Sequence, residues 1–304
     1  FNHGTYSTNV AMMLAKPVCK KPVDLANEIV EKINEQKITG VAKVEVASPG
    51  FINFFLTPEF LVSVVGEINR MGKSYGKNKN RAGQKVLVEY TQPNPFKEFH
   101  IGHLVNNIIG EAVASLIAHT GAEVKRVTYH GDVGMHVAKT LWGLKKEGIE
   151  GIGNRLEIKD LGEAYAVGDK AFVEDEQVKK EIIEINKKVY ERSDEEINKL
   201  YDLGKKISLD YFEEIYQRLG SKFDQHFFES ETGKIGKKLV EENLGKVFKK
   251  GENKAIIFVG EQYGLHTRVF INSEGLPTYE AKDLGLVKLK KDFYSFDLSI
   301  TVTD

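Results

Sequence analysis

Two histidines, His100 and His103, are the residues whose types and spacing most clearly allow chemistry in this sequence. Before them, residues 86–90 are rich in β-branched and aromatic side chains, which predicts a buried parallel strand, and Pro93 and Pro95 then prevent a regular element. After them, apolar residues recur at steps of three and four, which predicts an amphipathic helix: Leu104, Ile108, Ile109, Ala112, Leu116 and Ile117. Both imidazoles are therefore predicted on one face at the start of a helix.

This predicted helix start is suited to binding an anion. A helix N-terminus presents free backbone N–H groups and the positive end of the helix dipole. Gly102, between the histidines, has no side chain, so a flat base or a phosphate can approach the backbone closely. The position after a parallel strand is also where open α/β sheets bind ligands. The pattern thus predicts a cradle for a nucleoside triphosphate, and the alternative is two surface histidines at an ordinary helix start.

Composition bounds the class of protein. A length of 304 residues suggests about two domains, and 41% hydrophobic with 29% charged residues is typical of globular proteins. The formal net charge of −1 argues neither for nor against a nucleic-acid partner. The single cysteine, Cys19, excludes an internal disulfide and a Cys-x-x-Cys metal site. We expect no apolar segment of the roughly 18 residues needed to span a membrane and no signal peptide, and therefore a cytoplasmic protein.

Residues 1–76 are predicted to form a small α+β domain, followed by an exposed linker over residues 72–84 and a second domain over residues 77–304. In the small domain, the spacing predicts helices near residues 9–15, 22–33 and 60–71 and strands over residues 44–47 and 51–56. Alternation places Phe51, Asn53 and Phe55 on one face of the second strand. Aromatic rings beside an amide could stack on and recognise an unpaired base, and the alternative is a core strand that contains one asparagine.

The second domain is predicted to be a doubly wound parallel sheet. A strand over residues 123–129 precedes a Gly-Asp loop and a helix over residues 136–144. Residues 169–249 are predicted to be a charged helical insertion, and strands return at 254–259, 267–271 and 298–304. Tyr279 and Asp283 are four residues apart on a predicted helix, so they share a face. Together they could hold a cationic ligand, or they could simply hydrogen-bond to each other.

Five segments carry a resemblance to a known family. Residues 86–103, which end in His-Ile-Gly-His, resemble the signature of class I aminoacyl-tRNA synthetases. The preceding run Glu89 to Lys97, residues 129–134 and residues 276–283 resemble arginyl-tRNA synthetases specifically. Residues 3–11 and 50–54 resemble the N-terminal additional domain of that family. The likeness extends over nearly the whole chain, in the right order.

The resemblance implies a Rossmann-like class I catalytic domain with a helical insertion, preceded by a small α+β domain. It implies ATP-dependent activation of L-arginine and transfer to tRNA(Arg), with ATP as a substrate accompanied by Mg²⁺ and no metal held by the protein alone. The implied site residues are His100, His103 and Lys97 for catalysis; His100, Gly102 and His103 for ATP; Glu89, Asn94, Tyr279 and Asp283 for arginine; and Asn53, Phe51 and Phe55 for the tRNA D-loop.

The sequence departs from the family pattern at Gln92, where serine is more frequent. The lysine-rich mobile loop and the anticodon-binding domain of the family are expected beyond Asp304, so we expect a fragment that is inactive alone. Two other functions remain open at this point. One is a small-molecule nucleotidyltransferase that shares the His-x-x-His helix start, and the other is a non-catalytic tRNA-binding relative.

Overall fold

The computed structural model describes residues 3–147 and 156–303 and divides the chain into two units, Phe1–Lys77 and Asn78–Asp304. The first unit contains, in chain order, β1 (Tyr6–Thr8), α1 (Val10–Ala15), α2 (Pro22–Gln36), β2 (Val41–Ala47), β3 (Phe51–Leu56) and α3 (Pro58–Met71). Its strands form an antiparallel sheet in the order β1-β3-β2, packed on α1 and α2 through Ala11, Ala26, Val44 and Ile52. The helices and strands predicted for this region are confirmed.

The second unit contains the elements of an α/β sheet and its covering helices. In chain order these are β4 (Lys85–Glu89), α4 (Ile101–His119), β5 (Glu123–His130), α5 (Met135–Glu147), α6 (Ile158–Glu174), α7 (Glu176–Glu191), α8 (Glu195–Leu219), β6 (Gln225–Phe228), α9 (Glu229–Glu242), β7 (Lys249–Lys250), β8 (Ile256–Phe258), β9 (Arg268–Ile271), α10 (Tyr279–Phe293) and β10 (Leu298–Thr301).

The main sheet of this unit is parallel throughout, in the order β10-β4-β5-β6. Because side chains alternate along a strand, Val86 and Val88 of β4 pack with Ala114 of α4, whereas Leu87 packs with Leu286 of α10 on the other face. The central strand is therefore covered on both sides. The carboxyl ends of β4, β5, β6 and β10 meet at one edge, where such sheets bind ligands.

The predicted helical insertion over residues 169–249 needs correction. Helices begin earlier, at Ile158, and the segment contains β6, which pairs in parallel with β5. Four residues are too short for a periodicity to be recognised, and β6 is a strand only because β5 offers it partners far away in sequence. Helices α5 to α8 share an apolar core that includes Phe96, Leu141, Leu161 and Ile182. Strands β7, β8 and β9 form a separate antiparallel sheet.

Helix α4 also differs from expectation. It has 19 residues, and an 18-residue window within it has a mean hydropathy of 1.3. This meets the length and composition of a membrane-spanning helix, so the expectation that no apolar segment was long enough is wrong. Length and composition are weak evidence of a membrane span, because core helices meet the same test. In this unit α4 packs on the sheet and carries two buried asparagines, Asn106 and Asn107.

Asn106 and Asn107 hydrogen-bond α4 to segments that lie at the carboxyl edge of the parallel sheet. Asn106 accepts a hydrogen bond from the Thr91 N–H (2.6 Å) through Oδ1 and donates one from Nδ2 to the Val302 carbonyl (2.9 Å). Asn107 donates to Thr91 Oγ1 (2.8 Å) and accepts from Ser221 (2.8 Å). Three of these contacts join the segments after β4 and β10 to α4, and the fourth joins α4 to the segment after α8.

The close approach of α4 to the sheet depends on Gly110. A Cβ at this position would lie 2.2 Å from Cγ of Tyr90, whose ring is fully buried. We expect Gly110→Ala to destabilise the protein by about 1–3 kcal/mol, since an extra methyl group in a packed core forces neighbours to shift. Gly162→Ala in α6, where a Cβ would meet nothing within 4 Å, is the control and should stabilise the protein by about 0.5–1 kcal/mol. Equal urea-unfolding free energies for the two variants would contradict this.

Candidate functional site

His100 and His103 lie at the N-terminus of α4, as predicted. His100 is the N-cap residue, and its Nδ1 accepts a hydrogen bond from the Gly102 N–H (3.1 Å). Nδ1 of His103 accepts from the backbone N–H of His100 (3.3 Å). The two rings are stacked with centroids 3.7 Å apart and planes at 20°. Each imidazole thus caps the helix start and fixes the position of the other.

This capping changes how the helix start can meet an anion. The N–H groups of His100 and Gly102 are already bonded to imidazole nitrogens, so these two backbone donors are used within the protein. Because Nδ1 is the acceptor in both rings, the proton of a neutral ring sits on Nε2. The donors that this pair would offer a phosphate are therefore on the imidazole rings rather than on these backbone amides.

Beside Gly102 lies a small and mostly apolar cavity of about 290 Å³. It is lined by Ile101, Gly102, Val105, Asn106, Ile109, Val302 and Thr303. Since glycine contributes no side chain, a flat ring can approach the backbone at this point. We call this space the α4 cavity.

A second and more polar cavity of about 440 Å³ lies between the end of β4 and α10, and we call it the carboxylate cavity. It brings together all four residues that the resemblance assigns to arginine: Glu89, Asn94, Tyr279 and Asp283. Gln92, Glu229, Lys290 and Thr303 also line it. Thr303 lines the α4 cavity as well, so the two cavities adjoin at the end of β10.

The loop that carries Gln92 and Asn94 has an unusual backbone. Thr91, Gln92 and Phe96 all have positive φ angles (75°, 53° and 66°), which cost about 1–3 kcal/mol each for residues other than glycine. Hydrogen bonds from surrounding side chains hold this conformation. Besides Asn106, Thr128 Oγ1 accepts from the Gln92 N–H (3.2 Å) and Ser208 Oγ from the Phe96 N–H (2.9 Å).

Buried groups also fix Asn94 and its neighbour Pro93. The Gly131 N–H donates to Asn94 Oδ1 (3.0 Å), which leaves the amide nitrogen of Asn94 as a donor. His130 Nδ1 lies 2.6 Å from the Pro93 carbonyl, and its Nε2 lies 3.0 Å from Nδ1 of His226. Burial lowers the pKa of His130 to about 3, so this histidine is neutral and acts as a fixed hydrogen-bonding group.

Three carboxylates face the carboxylate cavity, and two have ion-pair partners. Glu89, which is 2% exposed, pairs with Lys290 (2.5 Å) and accepts from the Gln92 amide (2.5 Å). Glu229 pairs with Lys282 (2.7 Å). The carboxylate of Asp283 forms neither a salt bridge nor a hydrogen bond with any part of the chain from 3–147 and 156–303. The predicted alternative, a hydrogen bond between Tyr279 and Asp283, is therefore not formed.

The environment of Asp283 makes it the titrating group of the cavity. Burial, reinforced by the negative charge of Glu89, raises the pKa of Asp283 to about 6. Burial also raises the pKa of Glu229, although Lys282 opposes this change. The charge of Asp283 in turn raises the pKa of the Tyr279 phenol, which therefore remains a donor at neutral pH.

Lys97 lines neither cavity. Its Nζ lies 5.8 Å from the ring centroid of Tyr165, and its charge adds to the burial that lowers the pKa of His136 to about 4. Asp132, from the Gly-Asp loop, is fully buried and accepts hydrogen bonds from Tyr201, Lys205 and Ser230. Asp132 is therefore an internal link between α8, α9 and β5 rather than an open ligand-binding carboxylate.

In the first unit, Asn53 is only 5% exposed and its Oδ1 accepts a hydrogen bond from Ser7 on β1 (2.7 Å). Phe51 is 37% exposed, and Phe55 is half-buried with the ammonium of Lys43 5.1 Å from its ring centroid. Asn53 thus already has a structural partner, as a core strand would give it. Its role with Phe51 and Phe55 in RNA contact stays a prediction.

The sequence reasoning missed Lys290 and Glu229. Lys290 continues the face of α10 that begins at Tyr279, since residues 279, 283, 286 and 290 are spaced by four, three and four, so a signal was present. Glu229 had no comparable signal, because it follows β6 and reaches the cavity only through the parallel pairing of β6 with β5.

Comparison with known proteins assigns both units to one family. The family model for the catalytic domain of class I (R) tRNA synthetases matches residues 65–304, and the model for the arginyl-tRNA synthetase N-terminal domain matches residues 2–56. The arginine–tRNA ligase of Caldanaerobacter subterraneus subsp. tengcongensis is 31% identical, over 99% of this chain and 53% of that protein. The arginine–tRNA ligase of Thermococcus sibiricus is 32% identical, over 99% and 50%.

Solved structures agree with this assignment. Arginyl-tRNA synthetase from Thermus thermophilus superposes with a TM-score of 0.65 at 26% identity, over 93% of this chain and 47% of that one. Arginyl-tRNA synthetase from Plasmodium falciparum superposes with a TM-score of 0.63 at 19% identity, over 100% of this chain and 54% of that one. At this identity the similarity shows a shared fold. The chain spans about half the length of the curated relatives that it matches. The predicted family and fold class are confirmed: this chain belongs to the arginyl-tRNA synthetase family of class I tRNA synthetases.

Proposed function

We propose that this chain carries the amino-acid and nucleotide sites of an arginine–tRNA ligase, which activates L-arginine with ATP and transfers it to tRNA(Arg). The observation that carries the proposal is the pair of adjoining cavities. One is lined by three carboxylates and the other by Gly102 at the start of α4, and Thr303 lies between them. Two substrates bound in these cavities would meet at the carboxyl edge of the parallel sheet.

The charge of the carboxylate cavity favours arginine. Lys290 and Lys282 compensate Glu89 and Glu229, so Asp283 is the carboxylate left open for a ligand. A guanidinium group carries one positive charge and five N–H donors in a plane, which suits a carboxylate. Tyr279 adds a phenol on the same helix face. In this arrangement Asp283 and Tyr279 bind the side chain, and Glu89 and Asn94 bind the backbone groups of the amino acid.

Activation is a phosphoryl transfer in which positioning and electrostatics do most of the work. An oxygen of the arginine carboxylate attacks the α-phosphorus of ATP in line with the leaving pyrophosphate. One P–O bond forms and one breaks, which gives arginyl-adenylate and pyrophosphate. His100 and His103 donate from Nε2 to the α-phosphate oxygens, and Gly102 allows the base to approach α4. Lys97 adds positive charge in the segment between β4 and α4. Mg²⁺ would bind together with ATP, on its phosphates.

Transfer then links the arginyl group to tRNA. A ribose hydroxyl at the 3′ end attacks the carbonyl carbon of the adenylate and AMP leaves. We propose that the first unit contributes to tRNA binding through the D-loop, with Phe51 and Phe55 as stacking surfaces and Asn53 holding β3 to β1. The support for this is the exposure of Phe51.

Replacing the open carboxylate tests arginine recognition. We expect Asp283→Asn to weaken L-arginine binding roughly tenfold to a hundredfold, because a charged hydrogen bond contributes about 1.5–3 kcal/mol and 1.4 kcal/mol is tenfold. Isothermal titration calorimetry measures this affinity, and ATP affinity is expected to stay unchanged.

The control is Asp292→Asn, which removes an exposed carboxylate of α10 that pairs with Lys288, and this variant should bind arginine normally. Citrulline, a neutral analogue of arginine, should bind weakly to the wild type. Tight citrulline binding would instead support another nucleotidyltransferase.

Arginine binding should also depend on pH. The guanidinium pairs with ionised Asp283, whose pKa is raised to about 6. Arginine affinity is therefore expected to be constant above about pH 7 and to fall about tenfold for each pH unit below 6, as the carboxylate takes up a proton. Calorimetry between pH 5 and pH 8 measures the midpoint, and ATP affinity in the same buffers is the control. A flat profile across this range would show that Asp283 does not bind the guanidinium.

The histidines are tested by adenylate formation. We expect His100→Ala and His103→Ala each to lower the rate about 10²–10³-fold, the loss measured when one donor to a transition-state oxyanion is removed. The assay is single-turnover arginine activation with tRNA(Arg) present, in the longest natural form of the protein that contains this chain. His119→Ala, at the exposed C-terminal end of the same helix, is the control. Wild-type rates in the double variant would remove the histidines from the mechanism and favour a non-catalytic relative.

A further inference from the structure

At the inner wall of the carboxylate cavity, Lys290 forms a buried ion pair with Glu89. Lys290 is 5% exposed, and its Nζ lies 2.5 Å from Oε2 of Glu89. Oε1 of Glu89 accepts the hydrogen bond from the Gln92 amide, so the two carboxylate oxygens have different partners. A lysine is almost never fully buried unless it is paired. Its position therefore depends on Glu89.

The side chain belongs to the cavity and not to the outer surface of α10. Tyr279, Asp283, Leu286 and Lys290 follow one another on one helix face, and all four line the cavity. Lys288, two residues earlier, is exposed and pairs with Asp292 on the opposite side. The same helix thus carries a cavity lysine and a surface lysine, which makes Lys288 a matched control.

Three carboxylates oppose the negative charge of Asp283: Glu280 from α10 itself, Glu89 from β4 and Glu229 from α9. The neutral phenols of Tyr279 and Tyr129 also line the cavity. Of the cations nearby, Lys282 is engaged with Glu229, whereas the charge of Lys290 acts directly in favour of ionised Asp283. Lys290 therefore affects two carboxylates, one by contact and one at longer range.

We propose that Lys290 is a specificity-determining residue of the arginine site, which by compensating Glu89 leaves Asp283 as the single open negative charge of the cavity. A cavity with one uncompensated carboxylate accepts a side chain with one positive charge. The inference deepens the proposed function and depends on arginine binding in this cavity.

Removing the ammonium group of Lys290 changes the charge balance of the carboxylate cavity. Glu89 would stay buried without its counter-charge, and two negative groups would then face each other across a cavity with little water. Such a pair favours proton uptake by the more accessible member, which is Asp283. A protonated Asp283 is a poor partner for a guanidinium, so arginine binding would begin to weaken at a higher pH than in the wild type.

The experiment compares the arginine affinity of four proteins by calorimetry from pH 5 to pH 9. In Lys290→Met, the midpoint of the pH profile should rise by about one unit, to about pH 7, so that affinity falls about twofold at pH 7 and about tenfold at pH 5. Lys290→Arg keeps the charge and should retain the wild-type midpoint. Lys288→Met should behave as the wild type at every pH, and ATP affinity should not change in any variant.

A double variant separates charge from packing. Glu89→Gln with Lys290→Met removes both members of the pair and restores the net charge of the cavity, so the midpoint should return to the wild-type value even if affinity is lower. This variant also replaces the single Lys290→Met variant if the latter fails to fold, because it leaves no buried unpaired charge.

The outcomes distinguish the two proposals. If the wild type binds no arginine, the proposed function fails and this inference fails with it. If the wild type binds arginine with a midpoint near pH 6 and Lys290→Met shows the same midpoint, the role of Lys290 is overturned while the proposed function stands. A shifted midpoint in the double variant would also overturn it.

Discussion

The amide of Asn106 is the contact on which the site depends. One side chain, buried in α4, accepts from the Thr91 N–H and donates to the Val302 carbonyl. It thereby fixes the distance between the loop after β4, the start of α4 and the end of β10. Because an unpaired buried amide group costs about 1–3 kcal/mol, both bonds are strongly retained. These two bonds of Asn106 hold Val302 beside α4, and the next residue, Thr303, lines both cavities.

The hydrogen bond from the Thr91 N–H to Asn106 also stabilises the strained loop after β4. Left-handed backbone at Thr91 and Gln92 is unfavourable in isolation, yet it turns the Gln92 amide back onto Glu89 and carries Asn94 into the cavity. The hydrogen bonds of Asn106, Asn107 and Thr128 offset the strain. Gln92, which departs from the family pattern, therefore has a definite structural role as a donor to Glu89.

The close packing of α9 against α10 positions the charged residues on the other side of the carboxylate cavity. A Cβ at Gly236 of α9 would lie 1.7 Å from the Ala281 carbonyl of α10, so the two helices touch through backbone. This approach brings Glu229, the first residue of α9, to Lys282. Buried ion pairs of this kind add little net stability, because desolvation offsets their attraction. What they give this cavity is a defined charge, with Asp283 left open.

Much of the site was predictable because it rests on local patterns. Helical spacing predicted that His100 and His103 share the start of α4 and that Tyr279 and Asp283 share a face of α10, since side-chain direction in a helix follows from its 3.6-residue period. The motifs around these residues predicted the family and the fold class. The run of β-branched and aromatic residues at β4 likewise predicted a buried parallel strand.

Tertiary structure alone decided the rest, because it depends on pairings between distant segments. Strand β6 exists through its register with β5, and that register delivers Glu229 to the cavity. Lys290 acquires its partner only because β4 and α10 pack together, although 200 residues separate them in the chain. The hydrogen bond between Asn53 and Ser7 likewise depends on the pairing of β1 with β3. Sequence spacing determines which residues share an element, whereas burial and charge compensation arise only where elements meet.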